Sequence, residues 1–363
     1  MKNNRIFISA GDLSGEMHAS SLVKEIKNIN HSCRVSAVGG NNLKSIADDF
    51  LEDIVNINAF GLVTINQVIY LRKVLKKLKN HFVKERPDKV ILVDFYGFHI
   101  HVSKLAKKLN IPVYYYISPQ VWASRGGRIK KLSKTVKKMI VIFEFEEKLY
   151  KRNGVEAVFV GNPLIDKVPK KQNFEKRDFN TSNPPTIGLF PGSRKTVIER
   201  HMPIILEVAK ILKEKINAKF VMFSVDKKSN LDLPKYVDLD SSGDFEKRKC
   251  IDFSICTSGT VSLENALIGI PMVVIYKLSY CNYFLIKAII KTKYITMVNI
   301  LSERSIVPEL IQFNATPQKI ASSALEQLSV GNYMPKVKEL LAFRNTLGVP
   351  GVSKRVAEII LKD

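Results

Sequence analysis

Short apolar, β-branched runs alternate along the whole chain with longer stretches in which apolar residues recur every three or four positions. Ile6-Phe7-Ile8-Ser9-Ala10 predicts a buried strand, followed by a glycine-bearing loop and a helix through about Ile29. Val35 to Val38, Val90 to Val93, Val113 to Ile117, Ile140 to Ile142 and Ala157 to Val160 predict further strands. Between them, Val68 to Lys84 sets Leu71, Val74, Leu75, Leu78 and Phe82 at helical spacing. Strands without polar alternation, separated by helices, imply an α/β protein whose parallel sheet is covered on both faces.

The pattern breaks in the polar, Lys-, Asn- and Pro-rich stretch Val168 to Pro185 and then restarts. Strands are expected at Thr186 to Phe190, Lys219 to Ser224, Phe253 to Cys256 and Met272 to Tyr276, with helices at His201 to Lys215 and Val261 to Ile268. The prediction is two doubly wound, Rossmann-like domains, 1–167 and 186–334, joined by a linker, 168–185. Helices within 335–363 are expected to cross back onto the N-terminal domain. Such a pair places ligands at the carboxyl ends of the strands, in a cleft between the halves.

Composition narrows the class. The 363 residues suffice for two domains, and 45% hydrophobic with 25% charged excludes a disordered chain and a membrane bundle. A net charge of +23 attracts anions, whether nucleic acid, phosphorylated metabolites or an acidic leaflet, and chooses none of them. Cys33, Cys250, Cys256 and Cys281 form no CxxC pair, which fits thiols in a reducing compartment. No run of about 18 apolar residues occurs, and the first apolar run is too short for a signal-peptide core. A cytoplasmic protein, or one held on the membrane from the cytoplasmic side, is expected.

Candidate chemistry collects in the loops after the strands. Gly11-Asp12-Leu13-Ser14-Gly15-Glu16-Met17-His18 opens a helix, where backbone N–H groups either cradle an anion or simply close a tight turn. Pro191-Gly192-Ser193-Arg194 stands at the corresponding place in the second half, with Arg194 offering a planar fork for phosphate. Ser258-Gly259-Thr260 begins another helix. One turn on, Glu264 is either a partner for a sugar diol or a capping-box carboxylate. Asp94, ending Val90-Ile91-Leu92-Val93, is either a general base or a turn cap. His99 and His101 form an HxH pair without a third ligand nearby, so no metal is expected. Ser118-Pro119-Gln120-Val121-Trp122-Ala123 carries the only Trp.

These segments, with Val298-Asn299-Ile300 and Pro308-Glu309-Leu310-Ile311-Gln312, resemble in order the lipid-A-disaccharide synthase family of two-Rossmann-domain (GT-B) glycosyltransferases. The resemblance implies an inverting, cofactor-free transfer joining UDP-2,3-diacylglucosamine to 2,3-diacylglucosamine 1-phosphate, with release of UDP. It implies Asp94 as base on the acceptor hydroxyl and Arg194 as the charge neutralising the leaving diphosphate. Gly11, Ser14, Gly15, Glu16, His18, Gln120 and Trp122 match substrate positions. Gly192, Ser193, Ser258, Gly259, Thr260 and Glu264 match nucleotide positions, and Asn299, Glu309 and Gln312 match motif positions along the cleft. Three departures from the family pattern occur: Asp12 and Glu16 exchange the usual Glu and Asp, Ser124 replaces a Trp, and His99 replaces an Asn.

Acylated substrates would bring the protein to a bilayer. The apolar stretches Ala59 to Val63 and Tyr283 to Lys291, with basic residues over Arg72 to Lys89 and Arg125 to Lys138, suit an anionic membrane surface or, alternatively, an ordinary core with a solvated basic face. The resemblance also leaves a homodimer open, with C-terminal parts exchanged. A different UDP-sugar transferase or an epimerase would keep the fold. A nucleic-acid-binding protein would need a helix-turn-helix, zinc or RNA-recognition signature, and none occurs, so no nucleic-acid partner is expected.

Overall fold

The computed structural model describes residues 4–55, 65–119, 127–170, 179, 182–223, 232–279 and 292–363. The chain forms two compact units, Met1–Asp166 together with Leu347–Asp363, and Lys167–Thr346.

The first unit is built on a seven-stranded sheet: β1 (Arg5–Ala10), β2 (Arg34–Gly39), β3 (Asp49–Asp53), β4 (Lys89–Val93), β5 (Val113–Tyr116), β6 (Lys138–Val141) and β7 (Glu156–Phe159). Its order is β3-β2-β1-β4-β5-β6-β7, and every pairing is parallel. Successive side chains point to opposite faces, so Phe7, Leu92 and Tyr115 enter one core with Leu78 and Phe82, while Ile8, Val93 and Tyr114 enter the other with Leu22 and Ile26. The second of these cores is completed by Val352, Val356, Ala357 and Ile360 of the last helix, Val352–Lys362, which packs on the helix Leu13–Ile29. Asp166 caps that last helix, accepting from the Gly351 and Val352 amides at 2.7 and 3.0 Å. Lys89 donates to the carbonyl of Ile360, and Arg355 Nη2 donates to Val160 O at 2.8 Å.

The second unit has six parallel strands: β8 (Thr186–Phe190), β9 (Lys219–Phe223), β10 (Val237–Asp240), β11 (Phe253–Thr257), β12 (Met272–Tyr276) and β13 (Glu309–Ile311), in the order β10-β9-β8-β11-β12-β13. The helix after β8 runs Lys195–Ile216 and takes in Pro203, a start earlier than the expected His201. Proline removes one helical N–H, but Pro203 and Glu199, whose carbonyl is thereby freed, are both exposed to water. Within 335–363 the helices part company. Tyr333–Asn345 packs Val337 into the core of the second unit, and only Val352–Lys362 belongs to the first. Among the described residues, no helix is long and apolar enough to cross a membrane.

Candidate active site

In the first sheet the strand order reverses between β1 and β4, and the register pairs Ala10 with Val93. The loops leaving these two strands therefore start side by side, and such a switch point is where doubly wound sheets bind ligands. Gly11 faces Phe95 so closely that a Cβ on Gly11 would lie 2.1 Å from Phe95 Cδ1. Asp94 and Phe95 both adopt left-handed backbone, φ 49° and 47°, a conformation costing non-glycine residues about 1–3 kcal/mol each. The turn is gripped from inside: the Asp94 carbonyl accepts from the Tyr115 hydroxyl and from His99 Nδ1 at 2.7 Å. Burial, and then the neighbouring Asp12 charge, push the Asp94 carboxyl up to about 6, against a lowering hydrogen bond from the Phe95 backbone. That is a value suited to a base working near neutrality.

Two further groups border this turn. Arg128 holds its guanidinium 4.4 Å over the Tyr96 ring, and among the described residues no acid pairs with it. Glu146 is 2% exposed, accepts from Ser118 Oγ at 2.5 Å, and is pushed up to about 7, chiefly by burial.

The exchange of carboxylates in the first loop has a geometric account. Asp12 is the N-cap of Leu13–Ile29, its short side chain accepting from Gly15 N at 2.7 Å. Glu16 is buried, and its longer arm reaches the amides of Asn42 and Leu43 at 2.8 and 3.1 Å. Glu16 therefore joins two segments of the unit instead of lying open to solvent. Ser14 is exposed on the first turn, and His18 is buried in the same helix.

In the second unit, the carboxyl ends of β8, β9, β10 and β11 enclose a cavity of about 640 Å³. It is lined by Gly192, Ser193, Arg194, Ser258, Gly259, Thr260 and Glu264, which brings together all the predicted nucleotide residues. Gly192 has φ 112°, and a Cβ there would come 2.7 Å from Val197 Cγ1, so glycine alone fits this turn. Arg194 is an exposed N-cap residue of Lys195–Ile216, and Thr260 opens the helix Thr260–Ile268. A cation beside helix N-termini suits a diphosphate. Ser258 Oγ already donates to Ile295 O at 3.1 Å.

The far side of this cavity was not foreseen. Phe190 and Phe223 stack with centroids 4.7 Å apart, and Asp240 folds the Ser241-Ser242-Gly243 turn by accepting from Ser242 N at 2.7 Å. Arg248 Nη1 donates to Glu264 Oε2 at 2.6 Å. The sequence signal available was aromatic residues ending two neighbouring strands.

Asn299, Glu309 and Gln312 lie elsewhere in the unit. Asn299 is fully buried, holding Ile306 N and Val307 N on Oδ1 and donating to Glu309 Oε1 at 2.8 Å. Glu309 also accepts from the Ile295 and Thr296 amides, and Gln312 brackets Leu278 N and O. These side chains brace the loops after β12. Gln120, Trp122 and Ser124, and the apolar stretches 59–63 and 283–291, lie outside the described residues.

Two parallel-sheet units with candidate ligand loops on their carboxyl edges follow the plan of the GT-B fold. Solved structures agree in fold: a Neisseria meningitidis UDP-GlcNAc 2-epimerase bound to UDP-GlcNAc (TM-score 0.64, 15% identity, 99% of each chain) and the calicheamicin glycosyltransferase (0.64, 14%, covering 100% of this chain and 99% of that one). The family model described as lipid-A-disaccharide synthetase matches residues 6–349, and the chain belongs to this family. Its relatives include the lipid-A-disaccharide synthases of Syntrophus aciditrophicus (35% identical, 99% of this chain, 98% of the relative) and Geobacter metallireducens (36%, 99% and 97%).

Proposed function

We propose that the chain condenses UDP-2,3-diacylglucosamine with 2,3-diacylglucosamine 1-phosphate, forming the lipid A disaccharide 1-phosphate and UDP. It is a glycosyltransferase of lipid A biosynthesis. The observation that supports a nucleotide-sugar donor is the cavity of the second unit, where a cation, a helix start and a carboxylate surround one space, and the family supports the acylated sugars. Arg194 and the N-terminus of Thr260–Ile268 would take the diphosphate, Glu264 the ribose diol, and the Phe223 and Ser241–Gly243 side the uracil. In the first unit, Asp94 would accept the proton of the acceptor hydroxyl as that oxygen attacks the anomeric carbon. The bond to UDP breaks, inversion follows from single displacement, and Arg194 stabilises the departing charge. Arg128, already oriented by Tyr96, would meet the phosphate of the acceptor.

Contact with an anionic membrane belongs to the same proposal. The helices Ile65–Glu85 and Tyr96–Lys108 form a groove with Leu75 and Leu105 in its floor and Arg72, Lys76, Lys79, Lys104 and Lys108 on its rim. Ile65 and Ile69 stand exposed on the first of these helices. Each basic residue near an anionic leaflet contributes about 1 kcal/mol. Salt-sensitive flotation with phosphatidylglycerol vesicles tests this, and absence of binding at low salt rejects it. A homodimer would appear as doubled mass in light scattering.

The decisive assay mixes purified protein with both acylated substrates and follows disaccharide by mass spectrometry. UDP formed together with disaccharide supports the proposal. UDP-sugar consumed without the acceptor, giving an epimer, would replace it.

A further inference from the structure

We infer that His99 is a positioning residue for Asp94, its neutral ring tying the Asp94 turn to β1 and so fixing where the carboxylate points. This inference rests on the proposal that Asp94 is the base. It starts from hydrogen-bond polarity. The Asp94 carbonyl can only accept, so the His99 nitrogen 2.7 Å away, Nδ1, carries the proton. Burial pushes the ring down to about 4, so at neutral pH Nε2 is bare and accepts from Ser9 Oγ at 2.9 Å. Only one tautomer satisfies both bonds.

The location gives that tautomer its purpose. Ser9 lies on β1, paired with Leu92 of β4, and Asp94 begins the turn that leaves β4. One ring thus bridges the two strands whose loops form the switch point. Phe95 and Tyr115 pack edge-on against it, at centroid distances of 5.7 and 6.2 Å, and its exposure is 0%. With Asp94 and Phe95 both left-handed, an unanchored turn would relax toward ordinary backbone and swing the carboxyl away. The family's usual Asn at this position also offers one donor and one acceptor, on a shorter arm.

The test compares His99→Leu, His99→Asn and Ser9→Ala with Asp94→Ala, measuring kcat, KM for UDP-sugar and the pH profile of kcat/KM. The other groups around the turn that could shape the profile are Asp12, Tyr96, Tyr115, Arg128 and Glu146, and they stay unchanged in all variants. Displacing a catalytic group by about 1 Å costs on the order of 100-fold. For His99→Leu, kcat is expected to fall roughly 10- to 100-fold, with KM for UDP-sugar unchanged and the acid limb moved to lower pH as the carboxyl escapes burial. His99→Asn should recover most of the rate. Ser9→Ala, which removes one tether without emptying the site, should lose a smaller part of kcat in the same direction and covers the case in which His99→Leu does not fold. Wild-type kcat and pH profile in His99→Leu, or in Ser9→Ala if His99→Leu does not fold, beside an inactive Asp94→Ala, would overturn the inference and leave the base intact. An active Asp94→Ala would overturn both.

Discussion

Arg248 donates to one oxygen of Glu264 at 2.6 Å, and the same guanidinium lies 4.9, 5.3 and 5.9 Å from the rings of Phe245, Phe190 and Phe223. The pair is nearly buried, with side-chain exposures of 11% and 14%. Arg248 therefore sets the orientation of Glu264 in the cavity wall, where the proposal places the ribose diol. Truncating Arg248 to Met should raise the dissociation constant for UDP about tenfold, roughly 1.4 kcal/mol. Arg248→Lys should recover little, because a point charge replaces a planar fork. Titration calorimetry with UDP checks this, and equal affinities would show that Glu264 needs no such anchor.

Arg194 has the opposite character, exposed and, among the described residues, without an ion-pair partner. A group that stabilises the leaving diphosphate mainly in the transition state affects kcat more than binding. Arg194→Ala is expected to lower kcat by about 100- to 1,000-fold, with the KM for UDP-sugar changed far less. A loss confined to KM would assign Arg194 to ground-state binding.

The proposed role of Asp94 as base predicts the pH dependence. A base must be ionised, so kcat/KM should climb through about pH 6 and level off above it, and Asp12→Asn should move the midpoint down by removing a like charge. Stability runs the other way. The folded carboxyl holds its proton more tightly than the unfolded one, so this residue costs stability as pH rises from the ordinary carboxylate range through about 6. Asp94→Asn should therefore melt above the wild type at pH 8, with the difference shrinking toward about pH 4. A constant difference across that range would mean the carboxyl is not raised.

Arg128 makes a prediction in substrate structure. Charge-assisted bonds to phosphate contribute about 1.5–3 kcal/mol. Arg128→Ala should raise the KM of the phosphorylated acceptor roughly 10- to 100-fold and leave a dephosphorylated acceptor nearly unaffected. Equal losses on both acceptors would place the phosphate elsewhere.

The interior strands were legible because a parallel sheet covered on both faces needs unbroken apolar runs, as in Val90 to Val93 and Met272 to Tyr276. The outer strands β3, β10 and β13 were not. Asp49–Asp53 mixes acids with Phe50 and Leu51 because an edge strand is only partly covered. At the candidate site, Asp94, Arg194 and the glycine turns could be singled out because each follows directly on a strand end. The bracing by Glu16 could not be read, because its amide partners, Asn42 and Leu43, lie in a different segment. Arg248 was invisible for a related reason: its aromatic box is assembled from β8, β9 and a short helix, Phe245–Arg248.

The return of the last helix has a consequence for synthesis. Topologically, Lys167–Thr346 is inserted between two parts of the first unit. On the ribosome the second unit is contiguous and can close as soon as it has emerged, although it is made later. The first unit must wait, with the places of Val352, Val356, Ala357 and Ile360 in its core unfilled, until the 11-residue helix Val352–Lys362 leaves the exit tunnel. The half bearing Asp94 is thus translated first and finished last, and a nascent chain stalled before Val352 would present that apolar face to chaperones.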